Sequence, residues 1–93
     1  MNKQLLKESI NNKDNLILYF TKQGCYHCTN ILPVIEEIKQ SKPNYIYHKL
    51  NHEDDKTKLI ESFCNVDCFP TLIIINEGKY QKFIGSKNIK NII

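Results

Sequence analysis

The chain contains no arginine, no alanine and no tryptophan, and only three glycines and three prolines in 93 residues. Its 13 basic residues are therefore all lysines, and Lys, Asn and Ile dominate the composition as the codons of an AT-rich genome would dictate. The lysines are scattered among acids, giving a net charge of only +3 and no basic stripe with stacking aromatics. That excludes the electrostatic footprint of a nucleic-acid-binding protein. No apolar run approaches the length of a transmembrane helix, and "MNKQLLKESI" lacks the apolar core of a signal peptide. The expectation is a soluble, cytoplasmic protein with no membrane partner. Four cysteines are too few, and 41% apolar residues too many, for a mini-protein held by disulfides. No repeat, linker or low-complexity tract interrupts residues 1–93, so one domain with one core is expected.

What is present alternates between two hydrophobic periods. Leu5, Leu6 and Ile10 predict a short amphipathic helix over residues 3–10. "LILYF" (16–20) is a continuous apolar run of the kind that forms a strand buried on both faces. Ile31, Leu32, Val34, Ile35 and Ile38 follow helical spacing, and Pro33 should bend that helix by removing a backbone donor. "YIYHKL" (45–50) is a β-branched and aromatic strand, and Leu59, Ile60 and Phe63 mark another helix. "TLIIIN" (71–76), the turn signal "NEGK" and "KYQKFI" predict a hairpin, after which Ser86 caps a last helix carrying Ile89, Ile92 and Ile93. The order α-β-α-β-α-β-β-α is an α/β pattern. It predicts a mixed four-stranded sheet with a parallel core, an antiparallel C-terminal hairpin and flanking helices. Chemistry in such sheets sits at the carboxyl end of a strand, where the next helix begins.

That position holds "TKQGCYHCTN", residues 21–30. A Cys-x-x-Cys serves as a redox dithiol, half of a zinc site or part of a structural disulfide. Read as a dithiol, Cys25 lies in the first helical turn, where unpaired N–H groups favour its thiolate, and Cys28 faces inward. Cys25 would then attack and Cys28 would resolve the mixed disulfide. His27 offers the thiolate a further stabilising contact. Cys64 and Cys68 could complete a four-cysteine zinc site with the first pair. Both pairs, however, sit inside α/β periodicity rather than on the glycine-rich turns of a zinc knuckle. His48 and His52, about 13 Å apart along a strand, cannot share one ion and read as a solvated strand end and loop.

"LILYFTKQGCYHCTNILPVIEEI" resembles the start of the thioredoxin family: a strand, the Cys-x-x-Cys, and a helix with proline five residues after the second cysteine. "KLNHEDDKTKLIESFCNVDCFPTLIIINEGKYQKFIG" is similar to that family's second half. The resemblance covers nearly the whole chain. It implies a thioredoxin fold and a thiol–disulfide oxidoreductase whose redox group is a Cys25–Cys28 disulfide, with no other cofactor and no metal. It makes Pro70 of "FPT" the family's cis proline, with Phe69, Thr71 and Gly85 beside it to receive substrate. Gly24, Tyr26 and His27 would tune the dithiol. Partners would be proteins carrying disulfides or thiols and an electron donor, either a thioredoxin-reductase-like enzyme or glutathione. A monomer is expected, with Cys68 as a regulatory thiol or the link in a dimer, since animal thioredoxins carry similar extra cysteines.

Three features depart from the family pattern. Gly24 stands where tryptophan usually precedes the first cysteine, and the final helix is short, about eight residues. Tyr19 stands where thioredoxins bury an aspartate held to assist the resolving cysteine, although Lys49 matches that aspartate's usual lysine. With His27 in place of the proline that often precedes the second cysteine, the expected potential lies above the about −270 mV of thioredoxin and below the about −120 mV of the periplasmic oxidant. A glutaredoxin is the neighbouring reading. Lys22 fits it, whereas "GSKN" lacks the paired glycines of a glutathione site and the N-terminal helix favours thioredoxin. A thioredoxin-like binding module with a spent redox site is a further reading.

Overall fold

A computed structural model describes residues 1–93. Its elements are α1 (Lys3–Asn11), β1 (Leu16–Thr21), α2 (Tyr26–Asn30), α3 (Leu32–Ser41), β2 (Ile46–Asn51), α4 (Asp55–Cys64), β3 (Thr71–Asn76), β4 (Lys79–Ile84) and α5 (Ser86–Lys90). One four-stranded sheet runs in the order β2-β1-β3-β4.

The two continuous apolar runs become the two central strands, as expected of segments buried on both faces. Strand alternation splits them between two cores. Leu16, Leu18, Phe20, Ile73 and Ile75 pack on one face with Leu6 of α1 and Ile60 of α4. Ile17, Tyr19, Leu72 and Ile74 pack on the other with Ile35 and Ile38 of α3 and Ile89 of α5. β2 and β4 are edges, and apart from Ile46 and Ile84 at their ends their exposed residues are polar or aromatic.

The mixed sheet flanked by helices is as the sequence predicts, but its parallel part is a single pair. β1 and β2 run parallel, while β3 runs antiparallel to β1 with Thr71 opposite Phe20. Strand–helix alternation alone favours a parallel return. Here the chain reaches β3 at the carboxyl end of β1, the end from which the cysteine loop emerges. A parallel β3 would have left Pro70 at the far edge of the sheet from Cys25. Strand direction therefore assembles the site.

The helix predicted to bend at Pro33 is interrupted for one residue, Ile31, two positions before the proline. α2 ends at Asn30, Ile31 serves as the junction, and α3 starts with proline in its first turn, where a missing N–H costs nothing. At the C-terminus Gly85, not Ser86, is the cap residue, with no side-chain capping bond, and α5 ends at Lys90. Ile92 still packs on the core, whereas Ile93 is exposed.

Candidate functional site: a disulfide against a proline turn

β1 delivers the chain to Thr21, and Gly24 turns it at φ +74°, a left-handed conformation that glycine adopts without a Cβ penalty. Cys25 is the N-cap of α2 and is joined to Cys28 as a disulfide, with the two Cα atoms 5.2 Å apart. The pair is asymmetric: Cys28 is 2% exposed, while Cys25 is only partly buried and lines an open cleft. The backbone N–H of Cys28 donates to Cys25 Sγ at 3.1 Å. That bond strengthens when the acceptor carries charge, so it favours a Cys25 thiolate. With only five residues in α2, this local N–H, rather than a long aligned dipole, is the stabilising feature. Tyr26 projects into solvent, 72% exposed, with the exposed His27 ring edge-on to it at 5.5 Å. His27 makes no hydrogen bond to either sulfur.

Beneath Cys28 lies a contact that local sequence does not reveal. The Tyr19 hydroxyl donates to the Cys28 carbonyl at 2.6 Å, and Tyr19 is completely buried. The break at Ile31 explains why that carbonyl is available, because the helical ladder does not continue through it. Burial pushes the Tyr19 phenol up, so it remains a protonated donor. Lys49 lies opposite Tyr19 in the β1–β2 register. It lines a groove of about 420 Å³ together with Thr21, Cys28 and Glu53.

The second wall comes from the start of β3. The Phe69–Pro70 peptide is cis, and Pro70 is buried. The Pro70 carbonyl accepts the N–H of Gly85 at 2.8 Å, and the Thr71 hydroxyl donates to the Cys68 carbonyl at 2.7 Å. Cys25, Asp67, Cys68 and Phe69 share one cleft of about 350 Å³ with residues 22–24. The structure thus brings together Gly24, Cys25, Cys68 and Phe69, with Pro70, Thr71 and Gly85 interlocked immediately behind, and leaves His27 on the outer surface.

Cys68 is exposed, and its thiol lies 3.4 Å from Asp67 Oδ1. The hydrogen bond and negative charge of Asp67 push that thiol up, which disfavours the nucleophilic thiolate. Cys64 lines an apolar pocket with Ile10, Phe63 and Ile73, and burial pushes its thiol up as well. The four-cysteine zinc arrangement needs the two pairs to converge, and no three His, Cys, Asp or Glu side chains do so.

His52 corrects the reading of a solvated loop. Its Nδ1 lies 2.9 and 3.0 Å from the two oxygens of Glu61, which is 7% exposed. Its ring lies 4.9 Å from that of Phe69. His52 and Glu61 stand nine positions apart, and no motif spacing links them; the pair exists only once α4 packs against the sheet.

Comparison with known proteins agrees with this geometry. The thioredoxin family model matches residues 1–93. Thioredoxin H-type 1 of Nicotiana tabacum is 26% identical over 85 residues, covering 90% of this chain and 66% of that protein. Thioredoxin H-type of Ricinus communis is 31% identical over 87 residues, covering 92% of this chain and 71% of its own length. The chain therefore spans about two thirds of the length of these relatives. Oxidised thioredoxin O2 of Arabidopsis thaliana superposes with a TM-score of 0.80 over 98% of this chain and 85% of that one, at 20% identity. The fold, the disulfide and the family match converge: this chain belongs to the thioredoxin family.

Proposed function

We propose that the protein exchanges disulfides with protein substrates, with Cys25 attacking and Cys28 resolving. The observation that carries this reading is the asymmetric Cys25–Cys28 disulfide, whose more accessible cysteine shares a cleft with Phe69, the residue before the cis proline. In the reducing direction the Cys25 thiolate attacks a substrate disulfide, which breaks and releases one substrate thiol. Cys28 then attacks Cys25 Sγ in the mixed disulfide, releasing the second substrate thiol and re-forming the Cys25–Cys28 bond. Two electrons pass from the dithiol to the substrate, and a donor must return them.

A thioredoxin-reductase-like donor fits better than glutathione, because α1 is present and the segment after the hairpin is Gly85–Ser86 rather than a glycine pair. The unpaired Cys64 and Cys68 suit a reducing, cytoplasmic setting. Insulin reduction assayed with NADPH and a thioredoxin reductase, and separately with glutathione and its reductase, tests the choice. Turnover is expected with the first couple. Turnover with glutathione alone would establish the glutaredoxin reading instead.

His27 should raise the potential by stabilising the reduced form. Exposed and turned toward Tyr26, it acts only through its proximity to the dithiol. His27→Ala is expected to lower the potential by on the order of 10 mV, where about 30 mV is a tenfold change in equilibrium. Equilibration of both proteins with glutathione buffers measures it, and identical potentials would remove His27 from the tuning set.

A further inference from the structure

We propose that His52 is a positioning residue for protein-disulfide exchange, acting through Phe69. The inference rests on the reading that the segment starting at Phe69 receives the substrate polypeptide. Glu61, in α4, has an almost fully buried carboxylate. A buried carboxyl group needs hydrogen-bond partners, and His52 Nδ1 lies within hydrogen-bond distance of both oxygens, at 2.9 and 3.0 Å. The His52 main chain is fixed separately, because its N–H donates to the Thr21 carbonyl at 2.8 Å. His52 is thus held through its main chain and through Nδ1, and the ring packs on that of Phe69 at 4.9 Å and a 52° tilt.

Phe69 in turn lines the cleft that exposes Cys25. The next residue secures the opposite wall: Glu53 Oε2 accepts the Gln23 N–H at 2.9 Å, a contact that holds the Glu53 carboxyl below the usual carboxylate range. A single dipeptide at the end of β2 therefore sets the spacing between the cysteine loop and the Phe69 wall. Neither side chain touches a sulfur, so the chemistry of the dithiol itself does not depend on them. What depends on His52 is how well an extended polypeptide fits beside Cys25.

This separates two substrates. A protein disulfide must dock along the cleft, whereas the small aromatic disulfide DTNB reaches Cys25 without docking. His52→Ala is expected to raise KM for insulin about tenfold with kcat within about twofold, and to leave DTNB reduction within about twofold of wild type. His52→Asn, whose amide N–H can take the place of Nδ1 toward Glu61 but which offers Phe69 no ring, is expected to recover thermal stability while its insulin KM stays about as high as that of His52→Ala. Glu61→Gln keeps a neutral partner for the ring and should raise KM about threefold. It also serves as the readout if His52→Ala is unfolded at the assay temperature, which thermal unfolding will show.

An insulin KM within about twofold of wild type in His52→Ala (or in Glu61→Gln where that is the readout) overturns the proposal. So does an equal fall on both substrates, or an Asn variant whose insulin KM returns to within about twofold of wild type. Wild type inactive on both substrates would be a different failure, that of the oxidoreductase reading itself.

Discussion

Cys28→Ser is expected to convert a turnover enzyme into a trap. In the intact protein Cys28 waits beside Cys25, the two Cα atoms 5.2 Å apart. Well-oriented intramolecular groups act at effective molarities of about 10⁵ M or more, against the millimolar thiols available in solution. Removing the resolver should therefore lengthen the life of the Cys25–substrate disulfide at least about a thousandfold. Intact mass measurement after mixing reduced Cys28→Ser protein with insulin should show the covalent adduct, and non-reducing electrophoresis of cell extracts should show captured proteins. Cys25→Ser is the opposite case. The remaining cysteine of the pair, Cys28, is 2% exposed, so neither an adduct through it nor turnover is expected. Adducts through Cys28 in Cys25→Ser, with none in Cys28→Ser, would reverse the assigned roles.

That asymmetry was legible in the sequence because it is local: a strand, a turn and a helix start fix which cysteine lies further in. The central strands were equally legible, since "LILYF" and "TLIIIN" leave no polar face to solvate. The proline turn could be placed only through resemblance, because nothing within "FPT" specifies that it meets Cys25. That meeting follows from β3 entering antiparallel at the end of β1, a property of the whole sheet. The same limit hid His52. Its neighbours "NHEDDK" are polar, and its burial depends on Glu61 from a helix and Phe69 from a later loop. Pro33 is excluded from a helix interior but welcome in a first turn, and with Ile31 as junction the chain used the second option.

Tyr19 shows what the missing acid left behind. Its hydroxyl holds the Cys28 carbonyl, so Tyr19→Phe removes the donor and leaves a buried acceptor without a side-chain partner. The cost of such an orphan is about 1–3 kcal/mol. In a domain of this size each kcal/mol moves Tm by about 4–8 °C, so a fall of roughly 5–20 °C is expected by calorimetry of the oxidised protein. The pH dependence follows from the sign of the Tyr19 shift. Burial raises the phenol above its ordinary value of 10.0, so its contribution is complete below that value and is lost only as pH climbs beyond it. Between pH 5 and 9 the stability gap between wild type and Tyr19→Phe should therefore stay constant. For the same reason Tyr19 takes no proton from Cys28 in that range; it fixes the position of the Cys28 backbone. The pH profile of insulin reduction should keep its shape in Tyr19→Phe while Tm falls. A profile whose midpoint moves would show that the hydroxyl takes part in activating Cys28, and an unchanged Tm would show that the carbonyl finds another donor.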